Sequence, residues 1–161
     1  MGGCAFTGHR YVSPLHEKNI RILIARAIRY AYAEGCREFY NGGAVGFDLL
    51  AAEVFLAIQE ELPGAKLILL LPCANHSSRW CLSDRERYRR VLSLADESIC
   101  LSPVYYNGCM LVRNRELVSR SDMVIAYLGR EGGGTAYTVK LAEDKGLRVF
   151  NLFPALEGGG R

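Results

Sequence analysis

Short apolar runs alternate with helix-patterned segments along nearly the whole chain, and that alternation restricts the fold more than any single motif. The runs are Gly3 to Phe6, Glu38-Phe39-Tyr40, Lys66 to Pro72, Glu97 to Leu101, Met123 to Leu128 and Leu147 to Leu152. Between them, apolar residues recur at helical spacing. Leu15 to Ala33 places Ile20, Leu23, Ile24, Ala27, Ile28 and Ala31 on one face, and further helices are predicted over Asp48–Glu61, Asp84–Leu94, Leu111–Ser119 and Thr135–Lys145. Such alternation predicts an α/β fold: a Rossmann-like parallel β-sheet with helices on both faces and right-handed crossovers. Lys66–Pro72 is apolar at almost every position, as a strand covered on both sides must be. Ligands of such sheets bind outside the carboxyl ends of the strands, where the strand order reverses.

Two of the predicted strand-to-helix turns are glycine-rich. Gly132-Gly133-Gly134-Thr135 follows Met123–Leu128, and Asn41-Gly42-Gly43-Ala44-Val45-Gly46-Phe47-Asp48 follows Glu38-Phe39-Tyr40. A helix that begins on glycines offers unpaired N–H groups and a positive dipole end, and phosphate is the usual occupant. Each turn has a plainer alternative. Gly42, Gly43 and Gly46 can serve an ordinary turn, with Asp48 as N-cap or first-turn acid, and Thr135 can cap its helix rather than touch a phosphate. Thr7-Gly8-His9-Arg10 ends the first strand, where Arg10 can hold a phosphate or carboxylate and His9 is either an acid/base or structural. Trp80 is the only tryptophan. It is read as a stacking lid over a base, or as a hydrophobic plug or subunit contact. The run Asp84 to Arg90 alternates charges in the manner of a solvated helix face. Glu53 is the one charge in Leu49–Ile58, so it is expected to pair with Arg10 or another polar group under the ligand site, or else to lie at the solvent edge.

With 161 residues, the chain is expected to form one domain over 1–154, followed by a flexible tail over 155–161. The net charge of +3 is too small to argue for nucleic acid by itself. The cysteines show no C-x-x-C pair or zinc spacing, and no metal or cofactor is expected. With neither a signal peptide nor a membrane span evident, a cytoplasmic location is expected.

Taken together, Thr7-Gly8-His9-Arg10, Gly42 through Glu53, Trp80 with Arg85-Glu86-Arg87-Tyr88, Arg113-Asn114-Arg115, Ser121-Asp122 and Gly132–Thr135 resemble the SLOG superfamily of nucleotide-binding Rossmann-like proteins, most closely its YpsA-like branch. The resemblance runs from about Gly3 to Leu152. It implies a site for a nucleotide or nucleotide-derived ligand over the two glycine turns, and a homodimer or larger assembly. Phosphate or ribose would meet backbone N–H groups at Gly42–Phe47 and Gly133–Thr135; Arg10 and Arg113 would supply charge, Asn114 hydrogen bonds, and Trp80 or Tyr88 stacking. Two related activities set alternatives. LOG-type phosphoribohydrolases cleave the N-glycosidic bond of nucleoside monophosphates using a glutamate after the second glycine motif. Here Thr135-Ala136-Tyr137-Thr138 carries no acid, so the chemistry would fall to Glu53, Asp48 or Glu131. DprA-type proteins bind single-stranded DNA and share an Arg-Asn-Arg stretch, although such binding calls for a more basic surface. The residues therefore favour a sensor or binding module over a hydrolase or a DNA-binding protein.

Overall fold

The computed structural model describes residues 2–158. Its elements are β1 (Gly2–Gly8), α1 (Glu17–Ala33), β2 (Cys36–Asn41), α2 (Phe47–Ile58), β3 (Lys66–Leu71), α3 (Leu82–Leu94), β4 (Glu97–Cys100), α4 (Cys109–Ser119), β5 (Met123–Tyr127), α5 (Gly133–Asp144), β6 (Arg148–Asn151) and α6 (Phe153–Gly158), with one 3-10 turn at Gln59–Glu61. Every strand pairing is parallel, and the six-stranded order is β4-β3-β2-β1-β5-β6. This is the α/β Rossmann-like sheet that the alternation predicts.

Period-two alternation divides the core between the two faces of the sheet. Leu67, Leu69 and Leu71 of β3 face one cluster with Ile20, Ile24 and Ile28 of α1 and Leu49 and Phe55 of α2. Ile68 and Leu70 face the other, with Leu117 of α4 and Val139 and Ala142 of α5. The order reverses at β1. From it the chain crosses over α1 to β2 on one side, while β5, in register with it at Thr7↔Ala126 and Gly8↔Tyr127, continues over α5 to β6 on the other. Divergence of the two crossovers opens a crevice above the carboxyl ends of β1 and β5.

One boundary differs from the sequence reading. The segment assigned to a loose tail begins inside α6, where Leu156 is buried in the core. Glu157 accepts a hydrogen bond or ion pair from His16 Nε2 at 2.7 Å, while His16 Nδ1 meets the Tyr127 hydroxyl at 2.7 Å. Gly129 makes room for this helix: a Cβ there would stand 2.2 Å from the Phe153 ring. The remainder of the expected tail, 159–161, lies outside the described residues.

Candidate functional site

The crevice contains a cleft of about 190 Å³ walled by the β1–α1 and β5–α5 turns, the Cys73–Cys81 loop and the first turns of α4. Of the residues singled out in the sequence, Thr7, Gly8, Arg10, Asp48, Trp80, Arg113, Asn114 and Gly132 through Thr135 line it. Gly42, Gly43, Gly46, Phe47 and Glu53 do not.

The two glycine turns have different roles. Around Gly132 the backbone is open: Gly132 and Gly133 have φ of +79° and +83°, and a Cβ on Gly132 would meet nothing within 4 Å. Gly132 is the N-cap of α5 and no side chain caps the helix, so the first amides of α5 keep their donors for an incoming group. Thr135 is the third residue of α5, not its cap.

The first glycine turn is closed on itself. The Gly43 N–H donates to Asn41 Oδ1 at 2.8 Å, the Ala44 N–H to Asp48 Oδ2 at 3.3 Å and the Phe47 N–H to the His9 carbonyl at 3.1 Å. Phe47 is fully buried, its ring stacked on Tyr127 with centroids 5.8 Å apart. The glycines there accommodate protein rather than ligand. A Cβ on Gly46, whose φ is +81°, would stand 2.2 Å from the Arg10 carbonyl, and one on Gly42 2.6 Å from the Arg113 guanidinium. The expected backbone cradle at Gly42–Phe47 is therefore corrected: three of its donors are already occupied. Asn41, wholly buried, braces this turn and also donates to the Asp48 carbonyl at 2.8 Å.

Glu53 is also corrected. It neither reaches Arg10 nor enters the cleft. Its carboxylate holds Arg87 of α3 in a two-pronged pair, Oε1–Nη2 2.6 Å and Oε2–Nε 3.0 Å. That pair explains the single charge in Leu49–Ile58, because a carboxylate on a packed helix face needs a partner. It also makes Arg87 part of a helix contact rather than of a purely solvated face.

Charge within the cleft is predominantly positive. Arg113 is buried; its Nε donates to Asn114 Oδ1 at 2.8 Å and its Nη1 to the Gly42 carbonyl. Arg10 and Arg130 line the same cleft. Asn114 Nδ2 lies 3.4 Å from the Cβ position of Gly134, which aims its amide at the open glycine turn. Asp48 is the acid of the cleft wall. Burial raises its carboxyl pKa to about 6 against the opposing pull of Arg113 and of its bond from Ala44, and its Oδ1 is buried without a hydrogen-bond partner. Buried polar atoms are nearly always paired, so an orphan in a cleft wall suits a group that arrives with a ligand.

Sequence reading passed over His76, Met110 and Arg130, all in the cleft wall. His76 donates through Nε2–H to the Gly43 carbonyl at 3.1 Å, while Nδ1 is buried and unpartnered. Burial lowers its pKa. His76, Trp80 and Tyr88 meet edge to face at 4.9–5.5 Å, so Trp80 is both packed and part of the wall. Arg130, just ahead of the glycines, was the most accessible signal of the three. His9 is a pin: its Nε2 accepts the Gly129 N–H at 2.8 Å, and burial lowers its pKa. An acceptor Nε2 fixes the neutral ring.

Comparison with known proteins follows the same outline. A UPF0398 protein of Halalkalibacterium halodurans is 28% identical over 141 residues, covering 86% of this chain and 70% of its own. DNA processing protein A from Helicobacter pylori, in a structure describing its single-stranded DNA binding mode, superposes with a TM-score of 0.63 at 23% identity over 93% of this chain. DprA from Streptococcus pneumoniae superposes with a TM-score of 0.66 at 18% identity over 94%. The chain spans 64% and 50% of those two proteins, and at these identities the likeness shows the shared fold. Among the described residues no helix is long and apolar enough to cross a membrane. Residues 14–149 match the family described as the YspA SLOG family, and the chain belongs to that family, the YpsA-like branch of the SLOG superfamily.

Proposed function

We propose that the cleft binds a nucleotide or nucleotide-derived ligand and that the protein acts as a sensor or binding module. The observation that carries this reading is the uncapped start of α5 at Gly132–Thr135, open to the cleft and faced by Arg10, Arg113 and Arg130. Amide donors at a helix N-terminus together with guanidinium groups form a receptor for phosphate. The ribose and phosphate would rest on that turn, with Asn114 beside it, and would not involve the self-satisfied turn at Gly42–Phe47. A small net charge of +3 keeps single-stranded DNA the less favoured ligand.

Binding is favoured over cleavage because the acid nearest in sequence to a catalytic role, Glu53, is committed to Arg87 outside the cleft. Hydrolysis would fall to Asp48, which lines the cleft, or to Glu131, which adjoins the glycine turn outside the lining.

Gly133→Asp tests the reading. The Cβ position has space around it, with the Arg130 guanidinium 4.0 Å away, so a carboxylate would occupy the phosphate position without a clash; at φ +83° the side chain costs about 1–2 kcal/mol of strain, which the fold should survive. Calorimetry with AMP should show binding to the parent chain and at least tenfold weaker binding to the variant, with both chains folded by circular dichroism. Unchanged affinity would remove this site. Chromatography of the same AMP mixtures should find no free adenine; its release by the parent chain would replace the binding reading with hydrolysis.

A further inference from the structure

The cleft at the glycine turn is too small for a whole nucleotide. Its volume of about 190 Å³ falls below the roughly 300–1,000 Å³ usual for small-molecule sites. A ligand anchored there by phosphate must continue into a neighbouring hollow, and two adjoin it through shared wall residues. One, of about 260 Å³, shares only Arg10 with the cleft, and its acids Glu17 and Asp84 stand beside Arg21 and Arg87. The other, of about 580 Å³, shares Arg10, His76, Trp80 and Met110; its further wall includes Arg79 and Tyr105 and no acid. The second, which shares four wall residues with the cleft, is the continuous path.

Its chemistry suits a flat ring. Trp80 is held by edge contacts, 5.2 Å to His76 and 5.5 Å to Tyr88 between ring centroids, so stacking on it costs little further ordering. Tyr105, in the loop between β4 and α4, is 59% exposed, a large ring in water at the rim of this hollow. Stacking on aromatic side chains accepts any base because every base has a π-face. His76 belongs to both walls and its Nδ1 is buried without a partner. His76 thus stands where the two hollows join.

We infer that the ligand is a nucleoside monophosphate whose base occupies the hollow between Trp80 and Tyr105 while its phosphate rests on Gly132–Thr135. This rests on the nucleotide reading above and adds the position of the base and the residues that select for one.

Trp80 is the only tryptophan of the chain, so its emission reports on this hollow directly. The full chain is titrated with AMP, ribose 5-phosphate and inorganic phosphate, followed by calorimetry and tryptophan fluorescence. AMP should bind at least about tenfold more tightly than ribose 5-phosphate, the share a stacked base contributes, and should quench the emission, which ribose 5-phosphate leaves unaltered. Tyr105→Ala should reduce the advantage of AMP over ribose 5-phosphate, Trp80 keeping its share of the stacking, without altering the affinity for ribose 5-phosphate. Equal affinities in the parent chain, or an AMP advantage undiminished in Tyr105→Ala, overturns the base position and leaves the phosphate reading standing. Failure of all three ligands to bind removes both. If Tyr105→Ala weakens AMP and ribose 5-phosphate equally and changes the mass measured by light scattering, Tyr105 is a subunit contact and the inference falls.

Discussion

Asp48 gives the sharpest quantitative test of the cleft's electrostatics. Its carboxyl pKa is raised from 3.8 to about 6, with burial as the larger effect and Arg113 opposing it. Folding therefore favours the protonated acid, and the stability linked to Asp48 is complete below pH 3.8 and is lost as pH rises through 6. A gap of about two units corresponds to about 3 kcal/mol, of which about half is lost between pH 5 and pH 8. Asp48→Asn keeps the volume and leaves a carbonyl oxygen to accept the Ala44 N–H now donated to Oδ2, but it removes the charge. In urea unfolding at pH 5 and at pH 8, the variant should gain about 1.5 kcal/mol on the parent chain as pH rises, or about 3–6 °C in Tm for a domain of this size. His9 and His76, whose pKa values burial lowers, are present in both chains, so their contributions largely cancel in the difference. A difference that does not change with pH would refute the raised carboxyl. A variant that instead loses ground as pH rises would mean that Arg113, not burial, governs this site and that Asp48 behaves as an ordinary paired carboxylate.

Two further substitutions separate scaffold from site. Glu53→Gln should cost about 1 kcal/mol in urea unfolding, because the pair with Arg87 is only partly screened from water, and should leave AMP affinity by calorimetry unchanged; a binding defect would return Glu53 to the site. Gly46→Ala should cost at least about 2 kcal/mol with no ligand present, since a side chain at φ +81° is strained and its Cβ would meet the Arg10 carbonyl at 2.2 Å. Wild-type stability in that variant would mean that the turn is less tightly closed than its hydrogen bonds indicate.

The parallel sheet was legible because both of its signals are local. Ile20, Ile24 and Ile28 mark a helix face by spacing alone, and Leu67 to Leu71 mark a doubly covered strand by the absence of polar residues. The position of the crevice followed from the same pattern, as did the place of Arg10 and the second glycine turn beside it, while Arg113 and Asn114 entered through the family resemblance. The α6 helix was missed because its six residues carry too little periodicity to register. What holds it is Leu156 in the core and the His16–Glu157 contact across 141 positions.

The two glycine motifs show where local reading stops. In sequence they are equivalent: strand, glycines, helix. Their difference lies in what each N–H meets, and those partners come from elsewhere in the chain, as with the His9 carbonyl against Phe47. Glu53 makes the same point, since its partner Arg87 lies 34 positions away on another helix. The sequence by itself determined the alternation of strands and helices, and with it the sheet and the crevice above its carboxyl ends, because propensity and hydrophobic period act over a few neighbours. Tertiary structure alone decided which glycine turn remains open, which acid is buried beside the cationic cleft and which is spent on an ion pair. Free donors, desolvation and charge pairing are set by residues distant in the chain that meet only when it folds.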